Sequence, residues 1–376
     1  MRKHIVIVSE ESVAAGRYKC GIGEVVDSMA SALRQFYDVT VLTMGYVPGG
    51  RMGHTVSLGE AGFYVRAARL INEWQPDLVH NFARADLIHK LHVDCPVILS
   101  FDQWSDVEPF LDIVPEYDHV VTLSNAYAGE CCVLHPEALE WPLKGIILGI
   151  DPAYYNPNSW LTGDRIKARE RYYQYRGIED KGDVLLVYTG RLVPEKGIDA
   201  IIDAARAIRD AGGELVIYGQ GETHYEDALQ ELNDIGVLTY YRRMVNYVEM
   251  LMILRAADYY LAPSVSEVCG LQAMKAAHFG CVPITTGVGG LGENFNSMNS
   301  IMVNGCLSEA CVRAINLGSL EYGGLQAACL AGEWTWNARI LPWVELYGLP
   351  TAPRSESTMD GRRVKAAPFA KKAVAK

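Results

Sequence analysis

Short apolar, β-rich runs separated by stretches of helical period recur twice along this chain, and that alternation restricts the fold more than any other feature. "HIVIVS" (4 to 9), "DVTVLT" (38 to 43), "DLVHN" (77 to 81), "PVILSFD" (96 to 102) and "HVVTLS" (119 to 124) read as strands. Between the first two lies "GEVVDSMASALRQF", where Val25, Val26, Met29, Ala32 and Leu33 recur at helical spacing. A strand that is apolar on both faces and is followed by a helix belongs in a parallel sheet covered by helices.

The alternation stops at "LGIDPAYYNPNSWLTGD", which is dense in turn formers and reads as loop. It then restarts with strands "DVLLVYTG" (183 to 190), "ELVIYG" (214 to 219), "DYYLAPS" (258 to 264) and "CVPITTG" (281 to 287), and with helices over about 198 to 211 and 225 to 235. The predicted architecture is α/β, with two doubly wound, Rossmann-like parallel-sheet domains facing a cleft, at 1–160 and 161–332. A terminal helix over 333–349, "WTWNARILPWVELYG", follows. Residues 350–376 lack apolar periodicity and are expected to be disordered.

The chain has 376 residues, enough for two domains of ordinary size. No run approaches the roughly 18 apolar residues of a membrane span, and "HIVIV" is too short for a secretory signal, so a cytoplasmic address without membrane contact is expected. The nine cysteines show no CxxC and no Cys/His ladder, which argues for reduced thiols and against zinc. The net charge of −11 opposes a nucleic-acid surface over the whole body. The charge is segregated: from Pro350 onward there are seven Lys and Arg against two Asp and Glu. Weak nucleic-acid contact through that basic tail is the one such partner the composition leaves open.

Three sites, made from four loops, could bind an anion. "YTGRLVPEKG" carries Arg191 and Lys196 between a strand and a helix start, where free helix N–H groups and two cations can converge on one charge. "EVCGLQAMKAAHFG" and "TGVGGLGE" each follow a strand with glycine near a helix start. "RYKCGIGEVV" puts Lys19, Gly21 and Gly23 between the first strand and its helix; the spacing is neither a dinucleotide fingerprint nor a P-loop. Taken singly, each is also compatible with a solvated loop or an ordinary glycine turn.

Together and in order, "KCGIGEVVDSMASAL", "LKGIILGIDPAYYNP", "GRLVPEKGID", "ILRAADYYLAPSVSEVCGLQAMKAAHFGCVPITTGVGGLGE" and "WTWN" resemble the glycogen synthase/starch synthase family of GT-B glycosyltransferases. The resemblance implies that Glu267 is the acidic residue of the E-P-C-G-L motif at the donor sugar. It implies that Arg191 and Lys196 hold the donor diphosphate, and that Lys19, Gly21 and Gly23 form the K-x-G-G loop against donor phosphates. The backbone of Cys269, Gly270, Leu271 and Gln272 would face phosphate or sugar hydroxyls, Gly289 and Gly290 match the T-G-G-L turn, and the "WTWN" helix would cross back to brace the first domain.

The implied chemistry is retaining transfer of a hexose, glucose first, from a nucleotide sugar such as ADP- or UDP-glucose to a glycan or other hydroxyl acceptor. It needs no cofactor and no metal, because the two cations neutralise the leaving diphosphate. The sequence departs from the family at four places. "SFDQ" replaces T-I-H-N, so Asp102 stands where a sugar-binding histidine is usual; Ile22 replaces a loop glycine; Val268 replaces the motif proline; and the first domain is short, which suggests a smaller or different acceptor. His80 reads as structural, and Tyr240, Tyr241 and Tyr247 as core or surface. Lys275 stands where related E-x7-E transferases carry a second glutamate. Two other readings stay open: a glucosyltransferase acting on nucleic acid or a modified base, and a nucleotide-sugar-binding protein without catalysis.

Overall fold

The computed structural model describes residues 2–13, 21–45, 51–52, 54–159, 164–177, 180 and 184–348. By internal packing the chain divides into two units. The first comprises residues 1–123, 128–146 and 340–376, and the second residues 124–127 and 147–339. Lys19 and the basic tail, both singled out in the sequence, lie outside the described residues.

Among the described residues, the sheet of the first unit has eight strands: β1 His4–Ser9, β2 Asp38–Thr43, β3 Arg51–Met52, β4 Thr55–Ser57, β5 Leu78–Phe82, β6 Val97–Ser100, β7 His119–Thr122 and β8 Leu143–Gly145. They lie in the order β3-β4-β2-β1-β5-β6-β7-β8, parallel except for the β3–β4 pair. Ile5, Val6, Ile7 and Val8 of β1 are all buried, the signature of a central strand covered on both faces. Helix Gly21–Leu33 buries Val25, Val26, Met29, Ala32 and Leu33, the stripe expected from their spacing.

In the second unit the strands are β9 Val184–Leu192, β10 Gly213–Gly221, β11 Thr239–Tyr241, β12 Tyr259–Ala262, β13 Val282–Thr285 and β14 Ile301–Met302. Their order is β11-β10-β9-β12-β13-β14, with every pair parallel. Helix Ile198–Asp210 buries Ile198, Ile201, Ala204, Ala205 and Ile208 against this sheet. Each unit is therefore a doubly wound α/β sheet. In each, the strand order reverses at one place: between β1 and β5 in the first unit, and between β9 and β12 in the second. Crossovers leave to opposite faces there, so the loops at the carboxyl ends diverge and open a crevice.

Three expectations change. The single terminal helix is two, Trp336–Arg339 and Leu341–Gly348. Pro342 cannot continue a helix through Ile340, because it lacks an N–H, but it is well placed in the first turn of a new one. "WTWN" itself stays with the second unit, where Ile150 donates its N–H to the Trp334 carbonyl at 2.9 Å and accepts from the Trp336 N–H at 3.0 Å. That pairing also draws residues 147–159 into the second unit, so the units part at 146/147 rather than at 160/161. A Cβ on Gly149 would lie 2.5 Å from the Trp336 nitrogen, so only glycine allows these backbones to meet.

The later helix, Leu341–Gly348, belongs to the first unit. Tyr37 donates its hydroxyl to the Val344 carbonyl at 3.3 Å, and Trp343 and Tyr347 are buried. His80 bridges the Tyr347 hydroxyl, 2.7 Å from Nδ1, and the Ser100 hydroxyl, 2.7 Å from Nε2. Its role is structural, and full burial pushes its pKa from 6.5 down to about 3. The unfolded chain binds this proton more readily, so the contribution is whole above pH 6.5 and is lost as pH falls towards 3. Urea unfolding between pH 7 and 4 should show stability falling by up to about 1.4 kcal/mol per pH unit more steeply in the native chain than in His80→Gln. Equal slopes would remove His80 as the cause.

Among the described residues no helix is long and apolar enough to cross a membrane.

Candidate functional site

The carboxyl ends of β9, β12 and β13 lie side by side in the second sheet, so three loops far apart in sequence meet above its reversal point. From the β9 loop, Lys196 donates through Nζ to Oε2 of Glu267 in the β12 loop at 2.7 Å, across 71 residues of chain. Ser264 donates its hydroxyl to the same oxygen at 3.1 Å. Both side chains of the pair are partly exposed, Lys196 at 24% and Glu267 at 17%, so the pair is held without being sealed from a ligand.

Backbone bonds lock this geometry. Val265 donates its N–H to the Glu195 carbonyl at 3.0 Å, tying the β12 loop to the β9 loop. Thr286 donates its hydroxyl to the Ser264 carbonyl at 2.7 Å, adding the β13 loop. Gly197 closes the turn after Lys196 at φ 69°, where a Cβ would stand 2.1 Å from the Pro263 carbonyl oxygen. No other residue could let the turn sit that close.

Arg191 extends from β9 itself, which runs two residues beyond the strand expected from sequence because β10 pairs with it out to Gly221. Its side chain is 47% exposed and lies 3.4 Å from Glu195. The Tyr188 hydroxyl donates to the Arg191 carbonyl at 2.6 Å, so the backbone that carries this cation is fixed while the guanidinium faces solvent.

Cys269, Gly270, Leu271 and Gln272 lead into helix Leu271–His278. The Cys269 thiol points inward, and burial pushes its pKa to about 12; its carbonyl accepts from Asn294 at 2.9 Å. Gly270 begins the helix in the left-handed region at φ 78°. The first N–H groups of the helix have no acceptor within it, as at any helix start. The side-chain oxygen of Gln272 is buried and makes no hydrogen bond among the described residues.

Gly289 and Gly290 pack against the backbone of the β12 loop. A Cβ on Gly289 would come 2.1 Å from the Glu267 carbonyl oxygen, and one on Gly290 2.3 Å from that of Val268. Gly290 donates its N–H to the Glu267 carbonyl at 2.8 Å. These glycines hold up the loop that carries Glu267. Gly21 and Gly23 are likewise not in a loop; they lie in the first turn of helix Gly21–Leu33, with Gly23 buried.

Asp102 is half-buried in the first unit, just beyond β6, where it lines a cavity of about 280 Å³. Sequence reasoning missed the other carboxylates of that cavity, although "SEES" at the end of β1 displays two of them. It also missed Glu249, which is fully buried and receives Arg176 at 2.9 Å, Arg243 at 2.7 Å and the Tyr218 hydroxyl at 2.7 Å. Tyr240 is core, Tyr241 stacks on Tyr218 at 4.6 Å between ring centroids, and Tyr247 lies against Tyr154 at 4.3 Å. Lys275 is buried, with its ammonium 4.7 Å from the ring centre of Tyr155. Among the described residues no group of His, Cys, Asp or Glu could hold a metal ion.

Residues 183–317 match the family model described as "Glycosyl transferases group 1". The glycogen synthase of Pseudomonas syringae pv. tomato is 27% identical over 263 residues, 61% of this chain and 53% of that protein. That of Halorhodospira halophila is 28% identical over 63% of this chain and 56% of its own length. The chain thus spans about half the length of these relatives. Among solved structures, the catalytic domain of starch synthase IV from Arabidopsis thaliana, bound to ADP and acarbose, superposes with a TM-score of 0.76 at 16% identity, covering 92% of this chain and 99% of that one. Anabaena Alr3699/HepE in complex with UDP and glucose gives 0.70 at 14% identity, covering 92% and 100%. Residues 183–317 therefore resemble a group 1 glycosyl transferase domain, in a chain that is similar over 61% of its length to a bacterial glycogen synthase and that shares the GT-B fold of these structures.

Proposed function

We propose that this chain is a glycosyltransferase that moves a hexose, glucose first among candidates, from ADP- or UDP-glucose to a glycan or other hydroxyl acceptor, with retention of configuration and without a metal. The observation that carries the reading is the Lys196–Glu267 pair, fixed at 2.7 Å over the reversal point of the second sheet. That is where open α/β sheets bind ligands.

The residues divide the work as follows. Lys196 and Arg191 supply two positive charges to a leaving nucleoside diphosphate, and the opening turn of helix Leu271–His278 adds backbone N–H groups. Both hydrogen bonds to Glu267 described above go to Oε2, so Oε1 is the oxygen placed to accept from a sugar hydroxyl. A second ligand hydroxyl would satisfy the Gln272 oxygen, which otherwise costs about 1–3 kcal/mol as an orphaned acceptor. Because Glu267 pre-aligns Lys196, little reorganisation is needed as charge develops on the diphosphate.

Single-turnover reactions with ADP-glucose and UDP-glucose, with and without EDTA, test the proposal. Nucleoside diphosphate should be released with formation of an α-linked product, at the same rate in EDTA. Binding of donor with neither hydrolysis nor transfer would overturn the enzymatic reading, and a strict requirement for a divalent ion would overturn the metal-free one.

A further inference from the structure

Two adjacent residues, where helix Gly290–Asn294 ends, are gripped by the segment that closes the second unit. Asn294 is buried, and its amide is used at both ends. Nδ2 donates to the Cys269 carbonyl at 2.9 Å and to the Gly290 carbonyl at 2.8 Å. Oδ1 accepts from Nη1 of Arg339 at 2.9 Å, across 45 residues of chain. Phe295, the next residue, stacks on Trp334 with 5.2 Å between ring centres.

Arg339 is itself held in place. Nη1 also donates to the Leu148 carbonyl at 3.0 Å, Nε donates to the Glu333 carbonyl, and the guanidinium lies 5.3 Å from the ring centre of Trp334. Trp334 is fixed in turn by its indole N–H, which donates to the Cys329 carbonyl at 2.7 Å. These bonds leave one rigid plane in set directions, which a guanidinium can supply and an ammonium on a flexible stem cannot.

The two carbonyls that Asn294 bridges belong to the turns of the candidate site. Cys269 precedes Gly270, at which helix Leu271–His278 begins, and Gly290 donates its own N–H to the Glu267 carbonyl at 2.8 Å. One amide therefore sets the spacing between the turn that offers free helix N–H groups and the turn that supports Glu267. Resting on the donor-site reading above, we infer that Arg339 is a positioning residue for nucleoside-diphosphate binding, acting through the Asn294 amide on these two turns. Without Arg339 the buried Asn294 oxygen is orphaned. Turning the amide over would only bring that oxygen against two carbonyl oxygens. Neither orientation is then satisfied, and the turns lose their common brace.

Calorimetric titration of the whole chain with ADP and with UDP tests this, alongside urea unfolding of each variant. Arg339→Met and Asn294→Ala should each raise the Kd of the bound nucleotide by about tenfold, equivalent to about 1.4 kcal/mol. The double variant should be no more than about twofold weaker than either single one, because the two residues lie on one path. Asn81→Ala is the control for stability alone. Asn81 is a buried asparagine of the first unit that donates to the Arg84 carbonyl at 3.0 Å and to the Tyr117 hydroxyl at 2.8 Å, so its loss should lower the urea midpoint and leave the Kd unchanged. An unchanged Kd in Arg339→Met, a hundredfold loss in the double variant, or an equal loss in Asn81→Ala overturns the inference. Should one of these variants fail to fold, Arg339→Lys decides. It keeps the charge without the planar fork, so affinity should still fall by at least about threefold, and native affinity would overturn the positioning role. Failure of the native chain to bind either nucleotide overturns the donor-site reading together with this inference. Binding that the variants weaken as expected, with no sugar transfer on the same preparation, removes only the enzymatic reading.

Discussion

Replacing Lys196 with alanine should lower hexose transfer by at least roughly a hundredfold, the scale of losing one preorganised electrostatic group. The substitution removes a cation from the proposed diphosphate site and leaves Glu267 with Ser264 as its remaining side-chain donor among the described residues. Glu267→Gln should cause a loss of similar size by a different route. The amide keeps the size of the side chain but cannot hold Lys196 by charge, so the ammonium is no longer pre-aligned. Both positions are partly exposed, so neither change should unfold the protein, and circular dichroism with urea unfolding would establish that. Near-native turnover in either variant would remove the pair from the active site.

Gly289→Ala should damage both stability and activity. The residue has φ 52° and ψ −132°, which L side chains rarely adopt, and an added Cβ would stand 2.1 Å from the Glu267 carbonyl oxygen. Strain of this kind costs of order 1–3 kcal/mol before the collision is counted, so a loss of about 3 kcal/mol or more is expected. The colliding atom is backbone and cannot rotate away, so the Glu267 loop must shift. A 1 Å displacement of a reacting group is enough to cost about a hundredfold in rate. The control is Gly323→Ala in helix Ser319–Ala331, where the new methyl meets nothing within 4 Å. There stability should rise by about 0.5–1 kcal/mol, because alanine loses less backbone entropy than glycine in a helix. Comparable losses in both variants would show that the cost at Gly289 is not positional.

Much of the fold was legible because burial on both faces writes itself into a strand as an uninterrupted apolar run. "HIVIVS" and "DVTVLT" are strands with the bounds read from the sequence, and the buried stripe of helix Gly21–Leu33 is the one its spacing gives. Element ends were less legible, since they depend on neighbours. β9 continues through Arg191 and Leu192 only because β10 offers partners to Gly221. Pro342 within the terminal stretch is local chemistry that does bear on an end, because proline suits the first turn of a helix better than its interior.

The residue pattern alone carries two βαβ arrays along the chain, and the motif resemblance implies that Lys196, Arg191 and Glu267 share one site. Strand order was beyond it. Periodicity records which residues face inward and carries no information on which strand lies beside which, because parallel neighbours are joined by crossovers many residues long. Folding sets β9 beside β12, which brings Lys196 to 2.7 Å from Glu267, and it gathers residues from the ends of β1, β5 and β6 around one recess. It also decided what the glycines do. A glycine in a sequence announces that a side chain is unwelcome, and only the packed structure shows whether a ligand or, as at Gly289 and Gly290, another stretch of backbone occupies the space.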